Sequence, residues 1–470
     1  MAQCVVSCLM LAVFVLPAGL ACQVVDGSTP KGQISETVSG SARLFQEAQQ
    51  AMQSGDFSAA QSLLTRLHAN LPENFEVNEL LGLTYVGQQR LSMALGPLQA
   101  AAREKPESNI ARANLGAILL KLHRPAEAAH ELQAAIRLDP NDRATQENLG
   151  QAEMLLGRPA EAAKAFDEAL RLDPKDADVA YNDALALYGS GQYARARQVL
   201  AGMTGVENSA SAQSLYGDVD EELTRYQQAA KHDLRAAQID PSEANIYVLG
   251  VELLRHWTFD PAIKEFAAGI KKYPASRRMK LGLAIAYYGN GNYNQAIPIL
   301  AKLLTADPEK AEYADLLGRS CTVETQGNAP GCALIVQLAE KHPSNAPLAI
   351  YAASSILQRQ SSPEELETAR RLLQRAVTSS PRSAEAWMET GVLLQTESKW
   401  AQSVTPLQTA IRLKPELASA HYRLARAYSH LGKHELAQEQ IALDLQYSKS
   451  QQKDLNAHLQ EVTTFVVKMR

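Results

Sequence analysis

Aromatic side chains are scarce in this sequence: Phe, Tyr and Trp together make up 6% of its 470 residues. An excess of one charge is lacking too. The 46 Lys and Arg and the 51 Asp and Glu are interspersed and leave a net charge of −5. Without a basic stripe interleaved with aromatics, nucleic acid is excluded as the main partner. Beyond residue 22 no run is long and apolar enough to cross a membrane. There is no glycine-rich phosphate loop and no Gly-x-Ser-x-Gly elbow. His430 and His434 stand four apart, but Leu431-Gly432-Lys433 between them reads as a turn between helices. No glutamate follows them in the zinc-peptidase arrangement. The other histidines are scattered. The acidic run Asp218, Asp220, Glu221, Glu222 lacks the spacing and the glycine of a calcium loop. These absences lead to the expectation of no enzyme, no cofactor and no metal.

What is present is a period of 34 residues. Alanines keep this step at Ala60, Ala94, Ala128, Ala162 and Ala196, and prolines keep it at Pro72, Pro106, Pro140 and Pro174. The segment Asn109–Asp142 shows the unit. Gly116 is its eighth residue, Ala128 its twentieth, Ala135 its twenty-seventh and Pro140 its thirty-second. Leu115, Leu119, Leu132 and Ile136 fill the helical spacings between them. A small eighth residue lets two antiparallel helices approach. The first alanine seats the second helix on the first, and the second alanine receives the next repeat. The proline stops the second helix and sets the turn that follows. This is the pattern of a helical-pair solenoid, in which each repeat contacts only its neighbours. Such a fold needs no single large core, and its alanine-rich helices account for the few aromatics.

On these residues the chain resembles the tetratricopeptide repeat family. The eighth position is small at Ala48, Gly82, Gly116, Gly150, Ala184, Gly217, Gly250, Ala284, Gly318, Ala353, Gly391 and Ala425. Repeat 2 adds Leu81-Gly82, Tyr85, Ala94 and Pro106; repeat 11 adds Trp387, Gly391, Ala410 and Pro415. The resemblance spans roughly residues 41–447. It implies an all-α, right-handed α-solenoid (superhelix) of about twelve helix-turn-helix units. There are departures from the pattern. Repeat 5 has Asn208 in place of the proline, and repeat 6 has Asp220 and Asp233 at positions that usually pack. Repeat 9 has Pro330 and Gly331 near its twentieth position, and repeat 10 is lengthened by Ser361-Ser362-Pro363. The array is therefore expected to be regular through repeats 1–5 and less regular in repeats 6, 9 and 10, through either a bend, a partner site or sequence drift.

The two ends differ from the repeats. Residues 1–22 carry no charge, and the apolar stretch Val5 to Leu16 is broken by Pro17-Ala18-Gly19. Gly19 and Ala21 are the small residues a signal peptidase reads. The expectation is export to a periplasmic or extracellular location. The absence of Lys and Arg in this segment leaves retention as an anchor open. Leu20-Ala21-Cys22 resembles part of a lipobox, which would lipidate Cys22, although Gly19 stands where that pattern has a large aliphatic residue. The alternative is a soluble exported protein cut near residue 21 or 22. Residues 23–40 read as a polar linker. In 448–470, Leu455, Leu459, Val462 and Val466 share one face of an expected capping helix. Cys321 and Cys332 flank a polar loop, Thr322 to Gly331, and in an oxidising compartment they can close a disulfide worth about 3 kcal/mol. The other reading is two unrelated thiols.

Asn114, Asn148 and Asn182 recur at the sixth repeat position and are expected to line up on the inner, concave face formed by the first helices. Each amide offers a donor and an acceptor, so such a ladder can hold the backbone of an extended peptide. The resemblance implies this mechanism, since this position binds peptide in some tetratricopeptide proteins; capping or solvation is the plain alternative. Glu147, Tyr181 and Tyr188 lie near the ladder in sequence. In the last repeat Tyr422, Arg423 and Arg426 form a second candidate, a clamp for an acidic group or a solvated helix face. The Lys and Asn set of the chaperone-binding family members is not found. These residues point to a non-enzymatic scaffold that binds a protein or peptide in the groove of repeats 3–5, with membrane contact only through the N-terminal segment. Two alternatives stand beside it: a structural subunit of an envelope secretion or polysaccharide-export assembly, and the regulatory arm of an enzyme complex.

Overall fold

A computed structural model describes residues 36–308, 310–323, 330–358 and 361–450. The expected export segment, Cys22 and the last twenty residues of the expected capping helix lie outside the described residues. Regular structure among the described residues is helical, and the chain divides into two compact units, Met1–Leu138 and Asp139–Arg470. In the first unit the helices are α1 (Glu36–Gln53), α2 (Phe57–Asn70), α3 (Phe75–Gly87), α4 (Leu91–Glu104), α5 (Asn109–Lys121) and α6 (Pro125–Leu138). The second unit begins with α7 (Arg143–Leu155), α8 (Pro159–Leu172), α9 (Ala177–Gly189), α10 (Tyr193–Gly202), α11 (Ala210–Glu222) and α12 (Tyr226–Ile239). It continues with α13 (Glu243–Arg255), α14 (Phe259–Lys272), α15 (Arg277–Gly289), α16 (Tyr293–Ala306), α17 (Ala311–Val323) and α18 (Pro330–Lys341). Its last helices are α19 (Ala346–Leu357), α20 (Pro363–Ser379), α21 (Ala384–Thr396), α22 (Trp400–Leu413), α23 (Ala418–His430) and a helical run over 434–450. Odd-numbered helices open a repeat and even-numbered helices close it.

The repeat is built by four local devices. The first is the cap. Asn74, Ser108, Asp142 and Asp176 stand two residues after a consensus proline, and each accepts a hydrogen bond from a backbone amide in the first turn of the next helix. The second ties that proline down. Six residues after it a side-chain N–H donates to its carbonyl: Asn78 to Pro72 (2.8 Å), Arg112 to Pro106 (2.7 Å), Gln146 to Pro140 (3.2 Å) and Trp387 to Pro381 (2.9 Å). His421 Nε2 makes the same contact with Pro415 at 2.8 Å. Gln213 reaches Val206 instead, where repeat 5 lacks the proline.

The third device is the turn within repeats 1–8, 11 and 12, where the residue seven beyond the small eighth position takes a left-handed backbone. It is glycine at Gly55, Gly157, Gly191, Gly291 and Gly432, but Gln89, His123, Thr224, Trp257 and Ser398 take φ between 56° and 61° at the same place. Left-handed backbone ends many helices in this way. The fourth is the close approach of the two helices. A Cβ on Gly82 or Gly116 would lie 2.5 Å from Cγ of Leu98 or Leu132, and one on Gly150 or Gly250 would lie 2.5 Å from Phe166 or Phe266. The residue sixteen positions on therefore fills the space that the glycine leaves. All five alanines of the 34-residue series have no exposed surface.

Some expectations need correction. Helix α1 starts at Glu36, so the last five residues read as linker are helical. Irregularity falls in repeat 5, not repeat 6. Helix α10 has 10 residues where α8 and α12 have 14, and it ends at Gly202 before a short 3-10 turn, Val206–Asn208. Repeat 6 keeps helices of 13 and 14 residues, with Asp220 and Asp233 buried in the places of core side chains. In repeat 9 the helices reach further than expected: Pro330 opens α18, where a proline costs no hydrogen bond. In repeat 10, Ser362 and Glu365 form a capping box that starts a 17-residue helix.

Candidate functional site

The first helices of repeats carry the asparagines, and their surroundings separate them. Asn114 on α5 donates to Glu79 Oε1 of α3 at 3.2 Å, so its amide is engaged by the preceding repeat. Asn148 on α7 and Asn182 on α9 are half-buried, and neither side chain has a hydrogen-bond partner among the described residues. Beside Asn148, Glu147 accepts from Arg143 and from Gln151, both at 3.2 Å, and Arg143 also donates to Asp176 at 2.6 Å. Burial pushes the Glu147 carboxyl up, with Arg143 opposing.

The two tyrosines of this region are packing residues as well as candidates for contact. Tyr181 and Tyr188 are partly buried against the core around Phe166 and Leu187. The ring of Tyr188 lies 5.6 Å from that of Tyr193. Burial, with the charges of Asp218 and Glu222, raises its hydroxyl to about 12, so it is a hydrogen-bond donor at any physiological pH. Next to Asn182, Asp183 is fully buried and both its oxygens lack a hydrogen-bond partner. Burial and the Asp167 charge push this carboxyl up to about 7.

The C-terminal candidates are partly committed within the fold. Tyr422 is exposed. The Arg426 guanidinium lies 5.8 Å from the centre of the Trp400 ring, which also stacks on His430 at 3.6 Å. Arg423 is the cation beside Glu389, whose carboxyl burial pushes up to about 7. Cys321, in the last turn of α17, and Cys332, in the first turn of α18, are joined by a disulfide with Cα atoms 5.7 Å apart and little exposure.

One cluster brings a residue of the acidic run, Glu221, together with one of the scattered histidines, His256. His256, just after α13, has Nε2 3.0 Å from Glu221 Oε2 on α11 and 3.2 Å from Glu252 Oε1 on α13. Burial pulls the imidazole down, but the two carboxylates outweigh it and hold it protonated up to about 9. Asp233, on α12, occupies the place of Leu132 and Phe166 in other repeats; its Oδ1 would lie 2.4 Å from a Cβ on Gly217. Burial and the Glu252 charge push it up to about 8. The cluster was missed because Glu221 and His256 stand one repeat and one residue apart, and only the Glu252–His256 step of four is visible locally.

Three family models described as "Tetratricopeptide repeat" match the chain. One covers residues 45–109 and 113–177, a second 153–219 and 258–319, and a third 418–442. No curated protein matches it. Among solved structures, Naa15/Naa10 bound to HypK-THB is 14% identical with a TM-score of 0.40, covering 86% of this chain and 68% of that one. PilF of Pseudomonas aeruginosa is 22% identical with a TM-score of 0.36, covering 44% of this chain and 95% of that one. YrrB, described as a TPR protein with an unusual peptide-binding site, is 17% identical with a TM-score of 0.37, covering 39% of this chain and 94% of that one. At these values the likeness concerns the repeat architecture alone.

Proposed function

Because the chain belongs to the tetratricopeptide repeat family, we propose that it is a non-enzymatic interaction scaffold that holds an extended segment of a protein partner along α7 and α9. One observation carries this reading. The amides of Asn148 and Asn182 recur one repeat apart, are half-buried on successive first helices, and are left without side-chain partners. Such an amide, open to solvent, keeps a donor and an acceptor that a peptide backbone can take in place of water. Asn114 is spent on Glu79, so the ladder of the proposal has two rungs, Asn148 and Asn182. Tyr181 and Tyr188 flank these rungs and add apolar surface with a hydroxyl donor.

The scaffold is placed outside the cytoplasm in this reading. The uncharged, apolar residues 5–16 followed by small residues support export, and a disulfide between Cys321 and Cys332 suits an oxidising compartment. The experiment is affinity capture on the full chain, beside an Asn148→Ala/Asn182→Ala variant and an Asn114→Ala variant of equal helix content. The reading expects a partner that is lost with the double variant and kept with Asn114→Ala. Capture of the same proteins by all three baits rejects the two-rung site.

A further inference from the structure

We propose that Glu221, Glu252 and His256 form a binding site for a divalent transition-metal cation of the zinc class, built where repeats 6 and 7 meet. The three side chains bring one ligand atom each to within 4.8 Å of one another. His256 Nε2 lies 3.0 Å from Glu221 Oε2 and 3.2 Å from Glu252 Oε1. A tetrahedral ion with bonds of about 2.0–2.1 Å holds its ligand atoms about 3.3 Å apart, so an ion entering among these atoms needs only small shifts. One imidazole and two carboxylates suit zinc or manganese. Calcium wants six to eight oxygens, which this site does not offer.

The surroundings are arranged as a supporting shell. Arg255 Nη1 takes the other oxygen of each carboxylate, Glu221 Oε1 at 3.3 Å and Glu252 Oε2 at 3.1 Å, which turns Glu221 Oε2 and Glu252 Oε1 towards the imidazole. Hydrogen-bonded ligands of this kind are typical of metal sites. The imidazole ring lies against Tyr226, with centroids 4.2 Å apart. Trp257, next in the chain, takes the left-handed turn that ends the helix and so fixes where His256 projects.

The Glu252 side chain is only 5% exposed, and its Oε1 faces the His256 imidazole, its ion-pair partner at 3.2 Å. Behind it, Asp233 is 4% exposed, and its Oδ1 has no hydrogen-bond partner among the described residues. Other repeats place Leu98, Leu132, Phe166, Phe266 or Leu407 where Asp233 stands. A carboxylate in an apolar socket is costly unless something compensates it. An ion held by the three ligand atoms keeps its fourth position for water. Binding replaces the proton on Nε2.

The test uses the full chain, freed of metal with a chelator and titrated with Zn2+ by calorimetry, beside Glu252→Gln, Glu221→Gln and His256→Gln. The expected result is one equivalent bound by the wild type, a raised unfolding midpoint, and binding at least tenfold weaker in each variant that keeps wild-type helix content. Glu221→Gln, on the half-buried ligand, serves if a more buried change disturbs folding. No zinc uptake by the wild type, or uptake unchanged in the folded ligand variants, overturns the proposal and leaves the cluster as an ion-pair network.

Discussion

Trp387 donates its indole Nε1–H to the carbonyl oxygen of Pro381, 2.9 Å away and six residues earlier. The same bond is made by an amide at Asn78 and Gln146, a guanidinium at Arg112 and an imidazole at His421. Five N–H groups of four chemical kinds thus meet one backbone requirement. The proline ends a helix, its carbonyl has no helical partner, and the fourth residue of the next helix supplies one. Trp387→Phe keeps the ring and removes the donor. It is expected to lower stability by about 0.5–1.5 kcal/mol, read as a shift of the urea midpoint, with faster amide exchange confined to the turn around 381–387.

Glycines at the helix–helix contact and glycines on the surface are predicted to respond with opposite sign. A Cβ on Gly150 would lie 2.5 Å from the Phe166 ring. Gly150→Ala is expected to cost about 1–3 kcal/mol by overpacking. Gly96 lies on the exposed side of α4 with nothing within 4 Å. Gly96→Ala is expected to stabilise by about 0.5–1 kcal/mol through helix propensity. Thermal unfolding of the two variants checks both signs.

The repeat was legible in the sequence because its marks are local and periodic. Ala60 to Ala196 and the small eighth residues fixed the register, and the same residues are buried in the structure. The shortening of α10 was less legible. Asn208 marked the missing proline, but the helix stops earlier, at Gly202. The Glu221–Glu252–His256 cluster was hidden because its parts belong to two repeats and follow no repeat mark. Asp233, an acid at a position filled in most other repeats by Leu or Phe, marked repeat 6 as unusual but not the cluster beside it.

Asp183 is predicted to make stability fall with rising pH. Burial first, then the Asp167 charge, raises its carboxyl from 3.8 to about 7, with Arg195 opposing. The fold therefore prefers the protonated form. That preference is fully present below the unfolded value near 3.8 and is lost as pH rises through about 7. Asp183→Asn removes the titration. Its stability relative to wild type is expected to climb between pH 4 and 7 and to level off above, with a rise of up to about 4 kcal/mol at about 1.4 kcal/mol per unit. Urea unfolding of both proteins across that range measures the difference.

The disulfide between Cys321 and Cys332 closes a short loop, with the two cysteines 11 residues apart. Loop-closure entropy gives such a link about 3 kcal/mol. Cys321→Ser/Cys332→Ser is expected to lower the stability of α17 and α18 by up to that amount, while exchange in α7–α9 is unchanged. Hydrogen exchange resolved along the chain reads both regions together.

The central claim is that a partner polypeptide lies along the first helices of repeats 4 and 5. A photo-reactive phenylalanine derivative placed at Tyr181, beside the unpaired amide of Asn182, tests it most directly, with the same probe at exposed Gly96 as reference. Illumination of the full chain in cell extract is predicted to give a discrete protein adduct from position 181 that is absent from position 96 and abolished by Asn148→Ala/Asn182→Ala. Adducts that are the same from both positions, or unaffected by the double substitution, would contradict it.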